Sequence, residues 1–370
     1  MRTIILGTRG FPNVQGGVEK HCECLSINLV RLGCEVIVLT RKPYVDKEIS
    51  EYKGVKLIPI PAFRQKALEA FLHTLIGVFV ALRYKPDILH THAIGPALFI
   101  PLAKLLGMKV VLTSHGSNYK HLKWGKFAKL VLKLGEFLGI RFSEKVITVS
   151  TCIAEEIKNR YNRDPITIPN GVIVRECSKS TNEISKYGLL KGKYILAVGR
   201  FVPDKGFDVL IHAFNRLRLH GWKLLIAGQA DHQDQYTLEL KQIAEQNENI
   251  ILPGYMSSEK LHELYSHAGL YVLPSYYEGL PISLLEAMSY GLSCIASDIP
   301  GNRSVGLSED RFFEAGNTAD LAAKTAKYAN ETLSPRERRK QIHIIAEKYD
   351  WQKIAATTLA VYQKVLLRCR

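Results

Sequence analysis

The 370-residue sequence lacks several features that would place it in a specialised class of protein. It has no apolar run of about 20 residues, which is the length that a membrane-spanning helix needs. The longest apolar run, residues 70–82, is interrupted by His73 and predicts a packed helix. There is also no internal repeat of solenoid period, no low-complexity tract and no recognisable nucleic-acid module. These absences argue against an integral membrane protein, a repeat protein and a nucleic-acid-binding protein.

Cysteine is scarce and irregularly placed. The seven cysteines are an odd number and show no C-x-x-C spacing, which predicts reduced thiols and neither a disulfide framework nor a zinc site. Residues 1–7 predict a short strand that runs directly into a loop, and not a signal peptide. We therefore expect a cytoplasmic protein without a metal site.

The features that are present are length, apolar residues and positive charge. A chain of 370 residues can form two domains with separate cores, and a hydrophobic content of 46% is ordinary for a globular protein. The formal net charge of +15 favours an anionic partner. Nucleotide diphosphates, anionic lipids and nucleic acids all qualify, and nucleic acid is the least favoured of the three.

Short apolar runs alternate with helical segments, which predicts an α/β fold with parallel, doubly wound sheets. The turn residues and polar residues after 168 precede a new strand at 194–198, so we place a domain boundary there. The predicted units are residues 1–172, residues 173–349 and a terminal helix, 350–370. In the first domain, the predicted strands are residues 2–6, 35–39, 56–60, 87–91, 109–113, 145–149 and 166–168.

Ligands of such sheets bind beyond the carboxyl ends of the strands, where the first domain has several candidate residues. The loop TRGFPNVQGG follows the first strand and ends in Gly16 and Gly17, which either permit close approach of a ligand or form a tight turn. Arg9 in the same loop could contact substrate or lie on the surface. His92 and His115 end two later strands, and each is either a ligand-binding or a structural residue.

The stretch from residue 270 to 291 carries the most chemical information. It predicts a strand, a loop and a helix whose first residue is Pro281, since proline lacks the N–H group that has no partner there. The free N–H groups of Ile282 and Ser283, together with the helix dipole, would create an anion site at the helix start. The dipole contributes only ~0.3–1 kcal/mol, so cationic side chains are also needed.

Two acids and two cations could complete this anion site. Glu278 precedes the helix and Glu286 lies inside it, so both could accept hydrogen bonds from hydroxyls of a ligand. Alternatively, the first is a helix cap and the second a solvated residue. Arg200 and Lys205 follow the strand at 194–198 and could bind a diphosphate, or they could be ordinary surface cations in a turn.

Three motifs resemble a known family. The sequence EGLPISLLEAM, with its E-x7-E spacing, resembles the nucleotide-sugar signature of retaining glycosyltransferase family 4. GRFVPDKG matches the G-R-x-x-x-x-K-G pattern of that family, and TRGFPNVQGG resembles the start of bacterial capsule, exopolysaccharide and O-antigen transferases. The resemblance covers nearly the whole chain. It implies the GT-B fold, in which two Rossmann-like doubly wound domains face a cleft.

The resemblance also implies roles for individual residues. The first acid of the E-x7-E motif would bind the donor sugar and the second the ribose, and the two cations would bind the donor phosphates. The glycine pair would face the diphosphate, the histidine at position 115 would contact the sugar, and Tyr255 would lie beside the base. The expected catalytic residues are Glu278, His115, Arg200 and Lys205. The expected substrate-binding residues are Gly16, Gly17, Arg200, Lys205, Tyr255, Glu278, Gly279, Leu280, Pro281, Ile282, Ser283 and Glu286.

These residues imply a retaining, metal-independent glycosyltransferase. It would move a sugar from a nucleotide-diphosphate sugar to a saccharide or lipid-linked saccharide in cell-surface polysaccharide biosynthesis, with no cofactor besides the donor substrate. Two other interpretations remain open. One is another GT-B enzyme, such as a nucleotide-sugar epimerase or a phosphorylase. The other is a non-catalytic subunit of a polysaccharide assembly complex.

Residues 119–145 contain seven Lys and Arg residues but two acids. This composition predicts either a basic amphipathic helix in peripheral contact with the anionic inner face of the cell membrane, or a packed helix with a solvated lysine face. The apolar residues that recur at helical spacing are Leu122, Phe127, Leu130, Leu134 and Phe137, with Trp124 and lysines between them.

Overall fold

The computed structural model describes residues 1–46, 48–62, 68–117, 119, 125–217, 219–231 and 234–367, and the chain divides into two compact units. The first unit comprises Met1–Gly171 together with Trp351–Arg370, and the second comprises Val172–Asp350. Each contains a mainly parallel sheet and a hydrophobic core of its own, so the α/β prediction is confirmed.

The first unit has an eight-stranded sheet in the order β3-β4-β2-β1-β5-β6-β7-β8. Its strands are β1 (Arg2–Leu6), β2 (Glu35–Arg41), β3 (Glu51–Tyr52), β4 (Val55–Ile60), β5 (Ile88–His92), β6 (Val110–Ser114), β7 (Lys145–Thr148) and β8 (Ile166–Thr167). Its helices are α1 (Gly17–Arg31), α2 (Leu68–Arg83), α3 (Ile100–Leu105), α4 (Lys126–Phe142) and α5 (Thr151–Tyr161). The short strand β3 pairs antiparallel with β4, and the other strand pairs are parallel.

The second unit has a six-stranded parallel sheet in the order β11-β10-β9-β12-β13-β14. Its strands are β9 (Tyr194–Val198), β10 (Lys223–Ala227), β11 (Ile250–Gly254), β12 (Leu270–Leu273), β13 (Cys294–Ser297) and β14 (Phe312–Phe313). Its helices are α6 (Asn182–Lys186), α7 (Phe207–Arg216), α8 (Gln235–Glu245), α9 (Ser258–His267), α10 (Ile282–Ser289), α11 (Pro300–Arg303), α12 (Thr318–Asn330) and α13 (Pro335–Lys348).

The last helix, α14 (Trp351–Leu367), belongs to the first unit. Its buried Trp351, Ile354 and Val361 share a hydrophobic cluster with Leu25 of α1. Trp351 also lies where any side chain at position 171 would have to sit, because a Cβ atom built on Gly171 would contact the indole ring. The end of the chain is therefore part of the first core.

The predicted strands form within about two residues of their expected bounds, because buried parallel strands are marked by continuous apolar runs. The two-residue strands β3 and β14 are too short to show any periodicity and were not predicted. The predicted start of α10 is corrected by one residue. Pro281 has extended backbone angles (φ −75°, ψ 106°), so it is the N-cap and Ile282 is the first helical residue.

Both sheets have a topological switch point, where the strand order turns back on itself. In the second unit, β9 lies between β10 on one side and β12 on the other. The loops that leave β9 and β12 therefore diverge to opposite faces of the sheet and leave a crevice beyond its carboxyl edge. In the first unit, β1 lies between β2 and β5 in the same way.

Candidate functional site

Two of the predicted catalytic residues meet at the switch point of the second unit. Lys205 follows β9 and Glu278 follows β12, and these strands are adjacent and parallel. Nζ of Lys205 lies 2.6 Å from Oε1 of Glu278, and the two side chains are 19% and 13% exposed. Residues 73 positions apart in the sequence thus form a largely buried ion pair at the carboxyl edge of the sheet.

The other predicted cation, Arg200, forms a second ion pair. Its guanidinium donates to Oδ2 of Asp231 over 2.9 Å, and both side chains are partly exposed. Asp231 was not predicted. It follows β10, the neighbour of β9, so the only available signal was its position just beyond the carboxyl end of a predicted strand.

These pairs neutralise each cation without using all of its hydrogen-bond donors. An ammonium has three N–H donors and a guanidinium five, so a diphosphate can still be bound beside the carboxylates. Ser275 Oγ also donates to Oε1 of Glu278, over 2.7 Å. In the part of the chain that the structure describes, no donor binds Oε2 of Glu278, and this oxygen can accept a hydrogen bond from a ligand hydroxyl.

Two close backbone contacts fix the loops that carry the Lys205–Glu278 pair. Gly206 has a left-handed backbone (φ +61°), and a Cβ atom there would collide with the carbonyl oxygen of Pro274. The N–H of Tyr276 donates to the carbonyl oxygen of Asp204 over 2.8 Å. The turn after β9 is therefore attached directly to the loop after β12.

A buried polar network supports the same loop from the β13 side. Asn302, which is fully buried, donates through Nδ2 to the carbonyl oxygen and to Oγ of Ser297, over 3.0 and 2.9 Å. Ser297 Oγ in turn donates to the carbonyl oxygen of Ser275. None of these residues was predicted to contact substrate.

Gly301 in α11 packs against the backbone of Glu278. A Cβ atom at position 301 would collide with the carbonyl oxygen of Glu278 and would lie 3.0 Å from its Cβ atom. Gly301 is buried, so a side chain there would force the backbone of Glu278 or of α11 to shift. The absence of a side chain at 301 thus sets the position of the acid.

On the catalytic role predicted for Glu278, we expect Gly301→Ala to lower kcat/KM by about tenfold or more, because displacing a catalytic group by about 1 Å can cost 10²-fold. Steady-state kinetics and a thermal unfolding curve would be measured on the same preparation. Gly125→Ala is the matched control, since a Cβ atom there has no neighbour within 4 Å among the described residues. Unchanged kinetics in a folded Gly301→Ala protein would contradict this role.

The start of α10 has the properties predicted for an anion site. No side chain of the described residues caps it, and its first turn contains no acidic residue, so its free N–H groups and dipole are not offset locally. Among the predicted contact residues, Leu280, Pro281 and Ile282 are buried, whereas Gly279 and Ser283 are partly exposed. Ligand contact at this site would therefore involve mainly backbone groups.

Glu286 lies on α10 and is partly buried. Tyr265 of α9 donates its hydroxyl to Oε2 of Glu286 over 3.2 Å. Burial, reinforced by the nearby Glu286 charge, holds the pKa of Tyr265 well above its ordinary value, so the phenol stays a donor. Tyr265 was not predicted. Tyr255 directly follows β11 and is partly buried, and its place beside a nucleotide base stays a prediction.

The remaining predicted residues lie in the first unit. Gly16 is the N-cap of α1 with φ +146°, and a Cβ atom there would collide with Oε2 of Glu19. Gly17 is the first residue of α1, and a Cβ atom there would have no neighbour within 4 Å among the described residues. Arg9 is 8% exposed and pairs with Glu19 over 3.0 Å, which contradicts a surface position, while its contact with substrate stays a prediction. The glycine loop therefore rests on a buried ion pair.

His115 follows β6 and lies among other histidine rings. Its Nε2 atom is 3.2 Å from Nδ1 of His92, which is fully buried. Burial, with the neighbouring His21 and His90 rings, holds the pKa of His115 well below its ordinary value. The neutral ring can exchange hydrogen bonds with a hydroxyl but carries no charge at pH 7.

Two family models match the chain in succession. The one described as Glycosyltransferase Family 4 matches residues 15–176, and the one described as Glycosyl transferases group 1 matches residues 179–349. An uncharacterised glycosyltransferase of Methanocaldococcus jannaschii is 27% identical in an alignment of 386 positions that covers 95% of each chain. An amylovoran biosynthesis glycosyltransferase of Erwinia amylovora is 28% identical over 179 residues, 48% of this chain and 50% of the relative.

A solved structure is similar over almost the full length. Anabaena HepE in complex with UDP-glucose superposes with a TM-score of 0.76 at 18% sequence identity, over 98% of this chain and 100% of that one. At this identity the similarity concerns the fold. It identifies the two parallel-sheet units as those of the GT-B architecture, and the fold predicted from the motifs is confirmed.

Proposed function

Because this chain is a glycosyltransferase with the GT-B fold, we propose that it is a retaining, metal-independent member of family 4. It transfers a sugar from a nucleotide-diphosphate sugar to a saccharide or lipid-linked saccharide in cell-surface polysaccharide biosynthesis. One observation carries this proposal. Lys205 and Glu278 form an ion pair at the switch point of the second unit. Lys205 is the last cation of the motif GRFVPDKG, and Glu278 is the first acid of the motif EGLPISLLEAM.

In this proposal the donor diphosphate binds beside Lys205 and Arg200 and at the start of α10. The uncapped helix start supports this placement, since backbone N–H groups and the dipole favour an anion there. The structure of HepE, which shares the fold, was solved in complex with UDP-glucose. That complex supports a nucleotide sugar as the donor. Glu286, held by Tyr265, then accepts from the ribose hydroxyls.

The chemical step needs positive groups that are fixed before the reaction. The bond between the anomeric carbon and the β-phosphate oxygen breaks, and negative charge develops on the diphosphate, where the two cations stabilise it. The acceptor oxygen bonds to the same face of the anomeric carbon, and its proton passes to the departing phosphate oxygen. Glu278 holds the sugar through Oε2, and the contact of neutral His115 with the sugar stays a prediction from the family resemblance.

The polysaccharide role has separate support. The Erwinia amylovora relative is named for amylovoran biosynthesis, and the opening TRGFPNVQGG resembles transferases of capsule, exopolysaccharide and O-antigen pathways. An acceptor of this kind is a growing saccharide, free or attached to a lipid.

A donor screen followed by product analysis tests the proposal. UDP, GDP, ADP and dTDP sugars would be compared by thermal shift, because a ligand that binds the native state raises Tm by mass action. The selected donor would then be incubated with saccharide and lipid-linked acceptors, and the anomeric configuration of the product determined by NMR. Inversion, dependence on a divalent metal, or conversion of the donor without any acceptor would contradict the proposal.

We also propose that α4 docks on an anionic membrane surface. The helix packs inward through Gly135 and Gly139, where added Cβ atoms would collide with Ile94 and Ala97. Several of its apolar side chains, by contrast, are exposed. Phe127 is 79% exposed and Leu130 64%.

These side chains recur at helical spacing and alternate with lysines, which supports the amphipathic alternative over an ordinary packed helix. The cations that flank them are Lys126, Lys129, Lys133 and Arg141. Each cation near an anionic surface contributes about 1 kcal/mol. Leu122 and Trp124, cited in the sequence pattern, lie outside the described residues. Within the described ranges, no helix is both long and apolar enough to cross a membrane.

Replacing Phe127 and Leu130 by serine is expected to weaken binding to anionic vesicles about 30-fold, which corresponds to about 2 kcal/mol of lost apolar burial. Flotation with vesicles that contain phosphatidylglycerol would measure this. A double variant with Leu190→Ser and Leu238→Ser is the control, because these residues are 65% and 53% exposed in the second unit. Equal losses of vesicle binding in both double variants would contradict docking through α4. Binding that does not depend on the anionic lipid content would contradict it as well.

A further inference from the structure

Three histidines converge inside the first unit. His21 lies on α1, His92 ends β5 and His115 follows β6. Each offers one ligand nitrogen, and these three nitrogens all lie within 4.8 Å of one another. His21 is 3% exposed and His92 is fully buried, while His115 is partly exposed and gives access from outside. The sugar-transfer chemistry proposed above uses only His115.

Two buried nitrogens of this cluster have unmet hydrogen-bonding capacity. Among the residues that the structure describes, Nε2 of His21 and Nε2 of His92 have no hydrogen-bond partner. A buried polar atom left unpaired costs about 1–3 kcal/mol. The unpaired Nε2 of His21 is available as a ligand atom, whereas His92 offers its Nδ1 atom, which faces Nε2 of His115.

His21 is oriented as metal-binding histidines are. Its Nδ1 atom lies 2.9 Å from Oδ1 of Asn170, so Nδ1–H can donate to the amide oxygen and leave the Nε2 lone pair available. Metal-ligating histidines characteristically donate their other ring N–H to such an oxygen, which fixes the tautomer.

The distances within the cluster suit a tetrahedral cation. Zinc binds histidine nitrogen at about 2.0–2.1 Å, which places two tetrahedral ligands about 3.3 Å apart. Nδ1 of His92 and Nε2 of His115 are 3.2 Å apart.

We infer that His21, His92 and His115 form a binding site for a divalent cation of the zinc type. Three imidazole ligands and one open position are a donor set that zinc accepts, with nitrogen preferred over the oxygen ligands of Mg²⁺ or Ca²⁺. The cation is not needed for transfer. It occupies His115, and zinc therefore competes with the sugar contact and inhibits the enzyme.

Zinc binding by the full chain, freed of any affinity tag, tests this inference. ZnCl₂ would be titrated by calorimetry without nucleotide or acceptor, and CoCl₂ would be followed by visible absorption. We expect one ion per chain and the Co²⁺ bands of a four-coordinate nitrogen site. Each of the variants His21→Gln and His92→Gln should weaken Zn²⁺ binding at least about tenfold. Asn170→Ala should weaken it about tenfold, because it removes the hydrogen bond that orients His21.

His90→Gln is the matched control inside the same cluster. Both ring nitrogens of His90 already have partners, the hydroxyl of Tyr362 at 2.6 Å and that of Thr113 at 2.7 Å. His90→Gln should therefore keep Zn²⁺ binding. His343→Gln, which removes a histidine whose side chain is 78% exposed, tests for binding at the surface and should also change nothing.

Each result of these titrations either supports or overturns the zinc site. No stoichiometric Zn²⁺ binding by the wild-type chain, a six-coordinate Co²⁺ spectrum, or unchanged affinity in folded His21→Gln and His92→Gln proteins would overturn the inference. If a variant does not fold, the Co²⁺ spectrum of the wild-type protein still tests whether the site is four-coordinate. Stoichiometric binding without inhibition of transfer would support the metal site and contradict the contact of His115 with the sugar.

Discussion

Replacing Lys205 by alanine is expected to lower kcat for sugar transfer about 10²–10³-fold, the usual cost of removing one preorganised donor from a developing negative charge. The ammonium group is held 2.6 Å from Glu278 and is mostly shielded from water, so it does not have to reorganise when the diphosphate leaves. Since this interaction strengthens in the transition state, kcat should fall more than KM rises.

Steady-state kinetics with the donor identified by the thermal screen would measure the Lys205→Ala effect. Lys260→Ala is the matched control, because Lys260 is 44% exposed and its carboxylate partner, Glu183, is 3.6 Å away. That change should leave kcat within about twofold, as expected for an exposed ion pair. A Lys205→Ala enzyme with normal kcat and a raised KM would contradict this role. It would show that the lysine binds the donor equally well in the ground state and in the transition state.

The sequence predicted the sheets and the cations of this site for identifiable reasons. Buried parallel strands appear as apolar runs, and the two motifs place Arg200, Lys205 and Glu278 at the ends of such runs. The residues that hold these side chains were not predictable. Asp231 is 31 positions from Arg200, and it meets the arginine only because β10 lies beside β9.

Partners separated widely in the chain explain the other missing parts. Asn170 is 149 positions from His21, and Tyr362 is 272 positions from His90. Neither pair leaves any periodicity or local motif, so the histidine cluster appears only after folding. The amphipathic pattern of α4 had a similar limit. It identified the apolar side of the helix, but the inward packing of Gly135 and Gly139 showed that this side faces outward.

Glu278→Gln should lower kcat/KM about 100-fold while leaving the affinity for the free nucleoside diphosphate almost unchanged. A hydrogen bond to a charged acceptor contributes about 1.5–3 kcal/mol, which corresponds to roughly 10–150-fold in rate. The carboxylate bonds Lys205 and Ser275 through Oε1. Glutamine can keep both bonds through its carbonyl oxygen, but it places an NH₂ donor where Oε2 would accept from the sugar.

Calorimetric titration with the nucleoside diphosphate, together with kinetics on the nucleotide sugar, would separate these two effects. Glu239→Gln on α8 is a suitable control, since among the described residues the hydrogen bond of its side chain comes from Gln235 on the same helix, over 2.8 Å. The double variant Lys205→Ala with Glu278→Gln should lose less activity than the product of the two single losses, because the side chains form one pair. Turnover that survives Glu278→Gln would instead mean that sugar transfer does not depend on this carboxylate.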